Sequence, residues 1–211
     1  GKNALLVAAE SGQPQIISVL ADGGADLLAR DALGNTALHL AARANDVYTT
    51  SMLVKRGIPL TAVNERKYTP LHEAAEKGNL ESVRALVELG ADPLYTPPGD
   101  TYFPAYVAAG RAKQWEITAL FRKMGHNDNP FINAGLGDMG ALQEYAENDP
   151  SQLERISRTN NTPLFAAAAN NQLEAVKFLL DHNVLIAPIL GGDLPQFAAL
   201  RKGYKDILLA F

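Results

Sequence analysis

The sequence is distinguished first by what it lacks. It contains no cysteine, which excludes disulfide bonds, thiolate metal sites and a cysteine nucleophile. No apolar run approaches the roughly 20 residues that a membrane-spanning helix needs, and no secretory signal pattern is visible. The net charge of −4 is a poor match for a phosphate backbone. We therefore expect neither membrane insertion nor a nucleic-acid partner. We expect a cytoplasmic protein, with secretion left open.

Sequence motifs of common enzymes are also missing. There is no G-x-x-x-x-G-K-[ST] loop and no G-x-S-x-G turn. The stretch HEAAE at 72–76 is not a zinc-binding H-E-x-x-H motif, because no histidine follows four residues after His72. Glu73 and Glu76 form no recognisable set with a paired base or with metal ligands. We interpret Glu73 as facing a neighbouring helix edge and Glu76 as facing solvent. These observations predict a non-enzymatic chain without a cofactor, a metal or a small-molecule substrate.

What the sequence does contain is an internal repeat. TALH at 36–39 recurs as TPLH at 69–72. Alanine pairs that begin at residues 8, 41 and 74 keep the same spacing. Fainter copies are FPAYVAAG at 103–110, TPLFAAAANN at 162–171 and LPQFAALRKG at 194–203. A period of this size indicates a stack of equivalent units.

Each unit has the local signals of two helices joined by a turn. Thr69 can cap a helix, and Pro70 suits the first helical position because its missing N–H has no partner there anyway. Gly78 then ends the first helix. An apolar stripe marks a second helix, at Leu80, Val83, Leu86 and Val87. One such pair cannot bury its apolar face alone, so the units must stack.

These motifs resemble those of ankyrin-repeat proteins, whose repeat of about 33 residues carries a T-P-L-H-x-A core. GGAD at 23–26 and LGAD at 89–92 match further marks of the family. The resemblance implies an all-α solenoid of six to seven repeats, some of them degenerate. It also implies structural roles for the threonine caps and for the histidine that bonds to them and to nearby backbone. The residues that match are Thr36, His39, Thr69, His72 and Thr162.

The repeats become irregular along the chain. Phe103 comes one position later than the spacing from Thr36 to Thr69 predicts, and four prolines fall within 93–104. The step from Phe103 to Thr162 is short of two full repeats. Asn129 and Pro130 predict the start of a short helix, which the turn at Gly137 would end. We expect regular repeats over residues 1–125 and divergent repeats over 126–211, continuous with the first stack.

The same resemblance implies a binding surface. In the family, the projecting loops and the exposed edge of each first helix contact partner proteins, on the concave face of the stack. When the family's contact positions are transferred to this sequence, the surface is centred on repeats two to four. Several of its residues are tyrosine or arginine, which are typical of binding hot spots. The predicted partner-binding residues are Arg43, Arg66, Tyr68, Glu76, Lys77, Tyr95, Tyr102 and Arg111. We expect Tyr68, Tyr95 and Tyr102 to project from loops, where Tyr95 and Tyr102 either contact a partner or pack the proline-rich loop against its neighbours.

Two alternatives stay open at this point. The basic tip at Arg66 and Lys67 either meets an acidic segment of a partner or is a solvated loop. The chain is either an independent binding module or the regulatory or targeting segment of a larger protein, such as a channel, an enzyme or a secreted bacterial effector. The start at Gly1 without methionine and the apolar stretch YKDILLAF at 204–211 motivate the second hypothesis, in which the missing part of the chain docks on the same face.

Overall fold

The computed structural model describes residues 3–97, 104–125, 129–157, 161–186 and 194–211. Every regular element within these ranges is helical, so the expectation of an all-α fold is confirmed. The chain divides into two compact units, residues 1–127 and residues 128–211. That the second unit continues the stack of the first stays a prediction.

The first unit contains four helix pairs within its described residues. The pairs are α1 (Ala4–Glu10) with α2 (Pro14–Asp22), α3 (Ala37–Arg43) with α4 (Val47–Lys55), α5 (Pro70–Lys77) with α6 (Leu80–Glu88), and α7 (Ala105–Arg111) with α8 (Trp115–Lys123). The first helices of the pairs pack side by side in chain order, and each also packs against its own second helix. The first helices therefore form one layer, and α4, α6 and α8 form a second layer behind it.

Helix α5 shows why these short segments are helical. Thr69 has extended backbone, and its hydroxyl accepts a hydrogen bond from the His72 backbone N–H (3.4 Å). Pro70 takes the first helical position, and Gly78 ends the helix with a left-handed φ of 79°. Ala74 and Ala75 are fully buried, because small side chains allow the neighbouring first helices to approach closely. The predicted cap and stop are confirmed.

Short loops precede the first helices and are linked to each other. In the loops at residues 31–35 and 64–68, the first residue donates a backbone hydrogen bond to the carbonyl of the fifth, at 3.0 Å in both. The Glu65 backbone N–H donates to the Leu33 carbonyl (3.0 Å), which joins the two loops. The loops are therefore ordered by backbone bonds and hold their side chains in defined positions.

Replacing Gly34 by alanine should destabilise the first unit by about 1–2 kcal/mol, the usual penalty for a side chain in the left-handed region. Gly34 has a φ of +76°, and an added Cβ would lie 3.0 Å from the Glu65 backbone nitrogen. Urea unfolding followed by the fluorescence of Trp115, the one tryptophan of the chain, measures the change. Lys67 holds the same position one repeat later with a φ of +62°, so Lys67→Gly is the matched control. A stability loss in Lys67→Gly as large as that in Gly34→Ala would contradict this account.

The fourth pair is shifted relative to the expected repeat. Pro104, and not Phe103, is the residue that precedes α7, so the step from Thr69 exceeds the regular repeat by two positions. Tyr106 is fully buried, with its ring centroid 6.4 Å from that of Phe121. The expectation that Tyr106 packs inside is confirmed, but it takes the place of Leu71 and not of His72. Residues 98–103, which include Phe103, lie outside the described residues.

Within its described residues, the second unit contains three helix pairs and a short 3₁₀ helix, Pro150–Glu154. The pairs are α9 (Pro130–Leu136) with α10 (Met139–Asn148), α11 (Pro163–Ala169) with α12 (Leu173–Asp181), and α13 (Pro195–Lys202) with α14 (Lys205–Ala210). The first helices α9, α11 and α13 again pack side by side in chain order. Asn129 caps α9 through its side-chain oxygen, and Gly137 ends this helix in the left-handed region. Both local predictions for α9 are confirmed.

Candidate partner-binding surface

Two buried histidines join the first helices of repeats two and three to the loops. The Thr36 backbone N–H donates to His39 Nδ1 (3.2 Å), so Nδ1 is an acceptor and the proton lies on Nε2. His39 Nε2 donates to the Tyr68 carbonyl of the next loop (2.9 Å). His72 repeats the first contact, accepting from the Thr69 backbone N–H at 3.3 Å. These side chains hold the loops in place and are not presented to solvent.

The environment of His39 keeps its ring neutral. The pKa of His39 is lowered to about 4, mainly by burial and also by the nearby charge of Arg30. The hydrogen bond to the Tyr68 carbonyl opposes these effects. The folded first unit therefore contains the neutral form of the His39 ring, and its stability depends on pH for this reason.

A polar cluster lies on the third repeat where the loop meets α5. Arg66 donates to both carboxylate oxygens of Glu76, at 3.0 Å and 2.5 Å. Its guanidinium carbon lies 3.9 Å from the centroid of the Tyr68 ring, and the Tyr68 hydroxyl donates to Glu76 at 3.2 Å. The Arg66 bond lowers the pKa of the Glu76 carboxyl and raises that of the guanidinium. Both groups are charged, and the Arg66 side chain is still 51% exposed.

Tyr68 differs from its expected placement. Its side chain is 9% exposed and does not project. Arg66 covers one face of the ring, and the ring of His72 lies 5.3 Å away between centroids. Burial raises the pKa of the Tyr68 hydroxyl, and the Glu76 charge adds to this effect. Tyr68 therefore positions Arg66 and offers little surface of its own.

Below this cluster lies a buried carboxylate that the sequence interpretation placed only at a helix edge. Glu73 is 2% exposed. One of its oxygens accepts from the Asn64 side-chain amide (2.9 Å) and lies 3.8 Å from Arg66. Its other oxygen has no hydrogen-bond partner among the described residues. The same Asn64 amide also donates to Asn35 Oδ1 (2.8 Å), so it bridges two repeats.

A signal for this bridge is present in the repeat register. Glu73 stands one repeat after Leu40, and Asn64 stands one repeat after Asp31. The third repeat therefore replaces an apolar side chain by a carboxylate and an aspartate by an amide that can donate to it. Two coordinated changes in one repeat indicate a contact, and comparing the repeats position by position would have found it.

The other predicted binding residues lie in varied surroundings. Arg43 and Lys77 are exposed at the ends of α3 and α5, and Arg111 is exposed at the end of α7. Tyr95 is half-buried and lines a cavity of about 80 Å³. Tyr102 lies outside the described residues. The structure thus brings Arg66, Tyr68 and Glu76 into direct contact, and the charge of the neighbouring Lys77 helps to lower the pKa of Glu76.

Thr162 begins the first helix of a repeat without a histidine. Its hydroxyl accepts from the Phe165 backbone N–H at 3.1 Å, and Phe165 stands where His72 stands in the third repeat.

Among the described residues, no group of three or more histidine and acidic side chains could hold a metal ion. No helix within the described ranges is long and apolar enough to cross a membrane.

Stacked helix pairs with ordered loops define a helical-repeat protein. The family model for three ankyrin repeats matches residues 5–96, and the single ankyrin-repeat model matches residues 159–188. Together they cover more than half of the chain, which belongs to the ankyrin-repeat family. Ankyrin repeats are generally protein–protein interaction modules, and their fold is typically non-catalytic.

Structural comparison supports the same fold. The crystal structure of the human ASB11 ankyrin repeat domain is similar over 99% of this chain and 82% of that chain, with 19% sequence identity and a TM-score of 0.52. At this identity the similarity shows the fold alone. A comparison with curated protein sequences found no match.

Proposed function

We propose that this chain is a non-catalytic module that binds a partner protein through the loops and the exposed edge of the first helices in repeats two to four, the concave face of an ankyrin stack. The observation that carries the proposal is the arrangement of Arg66. Its side chain is half exposed, yet it is held by two bonds to Glu76 and by the Tyr68 ring. A cation that is already ordered loses little conformational freedom on binding.

Further cations on the same edge support an acidic segment as the ligand. Arg43, Glu76 and Arg111 stand at one position of successive first helices, and Glu76 is already paired with Arg66. Lys77 adds a further exposed positive charge beside them. A partner segment that carries carboxylates would therefore meet an excess of positive charge on this edge, although the whole chain is acidic.

The test begins with capture of a partner from a native lysate by the intact chain, followed by measurement of the dissociation constant with the purified partner. The double charge reversal Arg43→Glu with Lys77→Glu should raise this constant at least about tenfold, since it places like charges opposite the partner's carboxylates. Tyr68→Ala is unsuitable here because it removes a buried ring. Addition of salt should weaken binding of the unaltered chain.

Arg84→Glu is the matched control, because Arg84 is exposed on the second helix α6. It makes one charge reversal of the same kind on the other layer and should leave the dissociation constant unchanged. The proposal would be overturned if the control weakened binding as much as the double reversal does. It would also be overturned if neither variant changed the dissociation constant. If the only ligand found were a flanking segment of the same protein, the regulatory alternative would replace the independent module.

A further inference from the structure

Three phenylalanines stand at one position in the successive first helices of the second unit: Phe131, Phe165 and Phe197. After each first helix, one backbone hydrogen bond closes the turn. Each phenylalanine lies two residues before the residue whose carbonyl accepts this bond, so the three positions are equivalent. The three bonds run from Asp138 to Asn133 (2.9 Å), from Gln172 to Ala167 (3.0 Å) and from Tyr204 to Ala199 (3.0 Å). We call these three side chains the phenylalanine row.

The row is accessible, whereas the same position is closed in the first unit. There it holds Leu6, His39, His72 and Val107, all buried. In the second unit Phe197 is 50% exposed, and Phe131 and Phe165 are half-buried. His39 is drawn inward because its Nε2 donates to a loop carbonyl, and a phenylalanine ring has no donor for such a bond. The second unit therefore presents aromatic surface where the first unit presents none.

A cavity adjoins the row. It has a volume of about 300 Å³, and Phe131 and Phe165 form part of its wall. The remaining lining residues are the small Ala166 and Ala169 and the polar Ser157, Asn161 and Asn170. Concave sites with mostly apolar walls and few polar groups are typical of ligand recognition. The cavity has room for a large apolar side chain.

The charges that the first helices contribute to this surface have one sign. Among the described first helices of the second unit, the only charged side chains are Arg201 and Lys202, both at the end of α13. Lys202 Nζ lies 2.5 Å from the carbonyl of Ala169, a residue of the cavity wall. The acidic side chains of the unit's described α-helices lie on the second helices, at Glu144, Glu147, Glu174, Asp181 and Asp206.

We propose that the phenylalanine row and its cavity bind an acidic peptide segment of a partner protein. A large apolar side chain of the segment enters the cavity between Phe131 and Phe165, and an acidic residue of the same segment pairs with Lys202 and Arg201. This site lies in the second unit and goes beyond the proposed function, which rests on the first. A peptide is favoured over single-stranded nucleic acid because two cations are few for a chain of phosphates.

The experiment selects ligands from a displayed library of random peptides against the purified intact chain. Enriched peptides should combine an aromatic residue or leucine with aspartate or glutamate. Fluorescence polarisation of the labelled synthetic peptides then gives dissociation constants. Phe165→Ser and Lys202→Glu should each raise the constant at least about tenfold, as expected for a buried anchor and for a reversed charge. Lys205→Glu, an exposed charge reversal at the start of α14, should have no effect.

A second variant separates lost binding from lost folding. Ala169→Gln narrows the cavity without removing a ring and should weaken the same peptides, while circular dichroism shows the chain folded. Peptides that lack the acidic and apolar pattern, or whose binding survives Phe165→Ser and Ala169→Gln, would overturn the proposal. Competition by a uridine oligonucleotide that binds more tightly than the peptides would also overturn it, in favour of nucleic acid. The variants Arg43→Glu and Lys77→Glu should leave this binding intact, which distinguishes it from the site of the first unit.

Discussion

Asn64→Asp should lower the free energy of unfolding of the first unit by about 3 kcal/mol or more at pH 7, because it leaves buried polar groups unpaired. The substitution removes the amide that donates to Asn35 (2.8 Å) and to Glu73 (2.9 Å). It puts a carboxylate oxygen against another buried carboxylate and against a carbonyl oxygen. The bonds that Asn64 Oδ1 accepts from the loop backbone, from Arg66 and Tyr68 at 3.0 Å each, are kept.

A double-mutant cycle with Glu73→Gln tests the cause of this loss. Glu73→Gln alone should change stability by less than about 1 kcal/mol, since its oxygen still accepts from Asn64. In the Glu73→Gln background the new amide can donate to an aspartate at position 64, so the cost of Asn64→Asp should fall by at least about 1.5 kcal/mol. Urea unfolding followed by Trp115 fluorescence reports the first unit. Additive effects would show that Asn64 acts only on the loop and not through Glu73.

The second large effect is a loss of stability in mild acid. The pKa of His39 is lowered to about 4 in the folded chain against an ordinary value of 6.5, so the unfolded chain binds more protons between these two values. Stability is therefore fully present above pH 6.5 and is lost as the pH falls towards 4. Between pH 7 and pH 5 this single group should remove about 2 kcal/mol.

His39→Gln provides the comparison, because glutamine does not titrate in this range. The variant should be less stable at pH 7, since its side chain cannot reproduce both bonds of the ring, and its stability should fall less between pH 7 and pH 5. The window stops at pH 5 because Glu76, whose pKa is lowered by Arg66, acts in the same direction at more acidic values. An equal pH dependence in the two proteins would show that His39 is not the responsible group.

Local features were predictable because short-range chemistry decides them. Thr69, Pro70 and Gly78 mark the ends of α5 in the sequence, and the same residue types cap and end it in the structure. Prediction failed in the fourth repeat, where Pro104 and not Phe103 is the residue that precedes α7. A spacing rule places a repeat to within one residue at best when the preceding loop carries extra residues. Backbone hydrogen bonds then decide the register.

The candidate site was predictable in its position and not in its construction. Arg66 was expected on a projecting loop and Glu76 facing solvent; the structure places Arg66 in the loop before α5, bonded to a Glu76 side chain that is 24% exposed. Tyr68 was expected to project, yet it is buried, because the guanidinium covers a ring that already packs on His72. Which side chain covers another depends on distances between a loop and a helix, which no sequence pattern encodes.

By itself the sequence determined the repeat, the helix pairs, the capping residues and the family. Each of these depends only on residue types and on their spacing along the chain. The repeat register indicates a contact between Asn64 and Glu73, but only the tertiary structure decided that this carboxylate is buried and that Asn64 also bonds to Asn35 of the preceding repeat. It alone also decided that the phenylalanine row of the second unit is exposed at Phe197 and half-buried at Phe131 and Phe165, where the equivalent residues of the first unit are buried. Burial and pairing depend on what the neighbouring repeat places opposite a side chain, and that is settled only when the repeats are stacked.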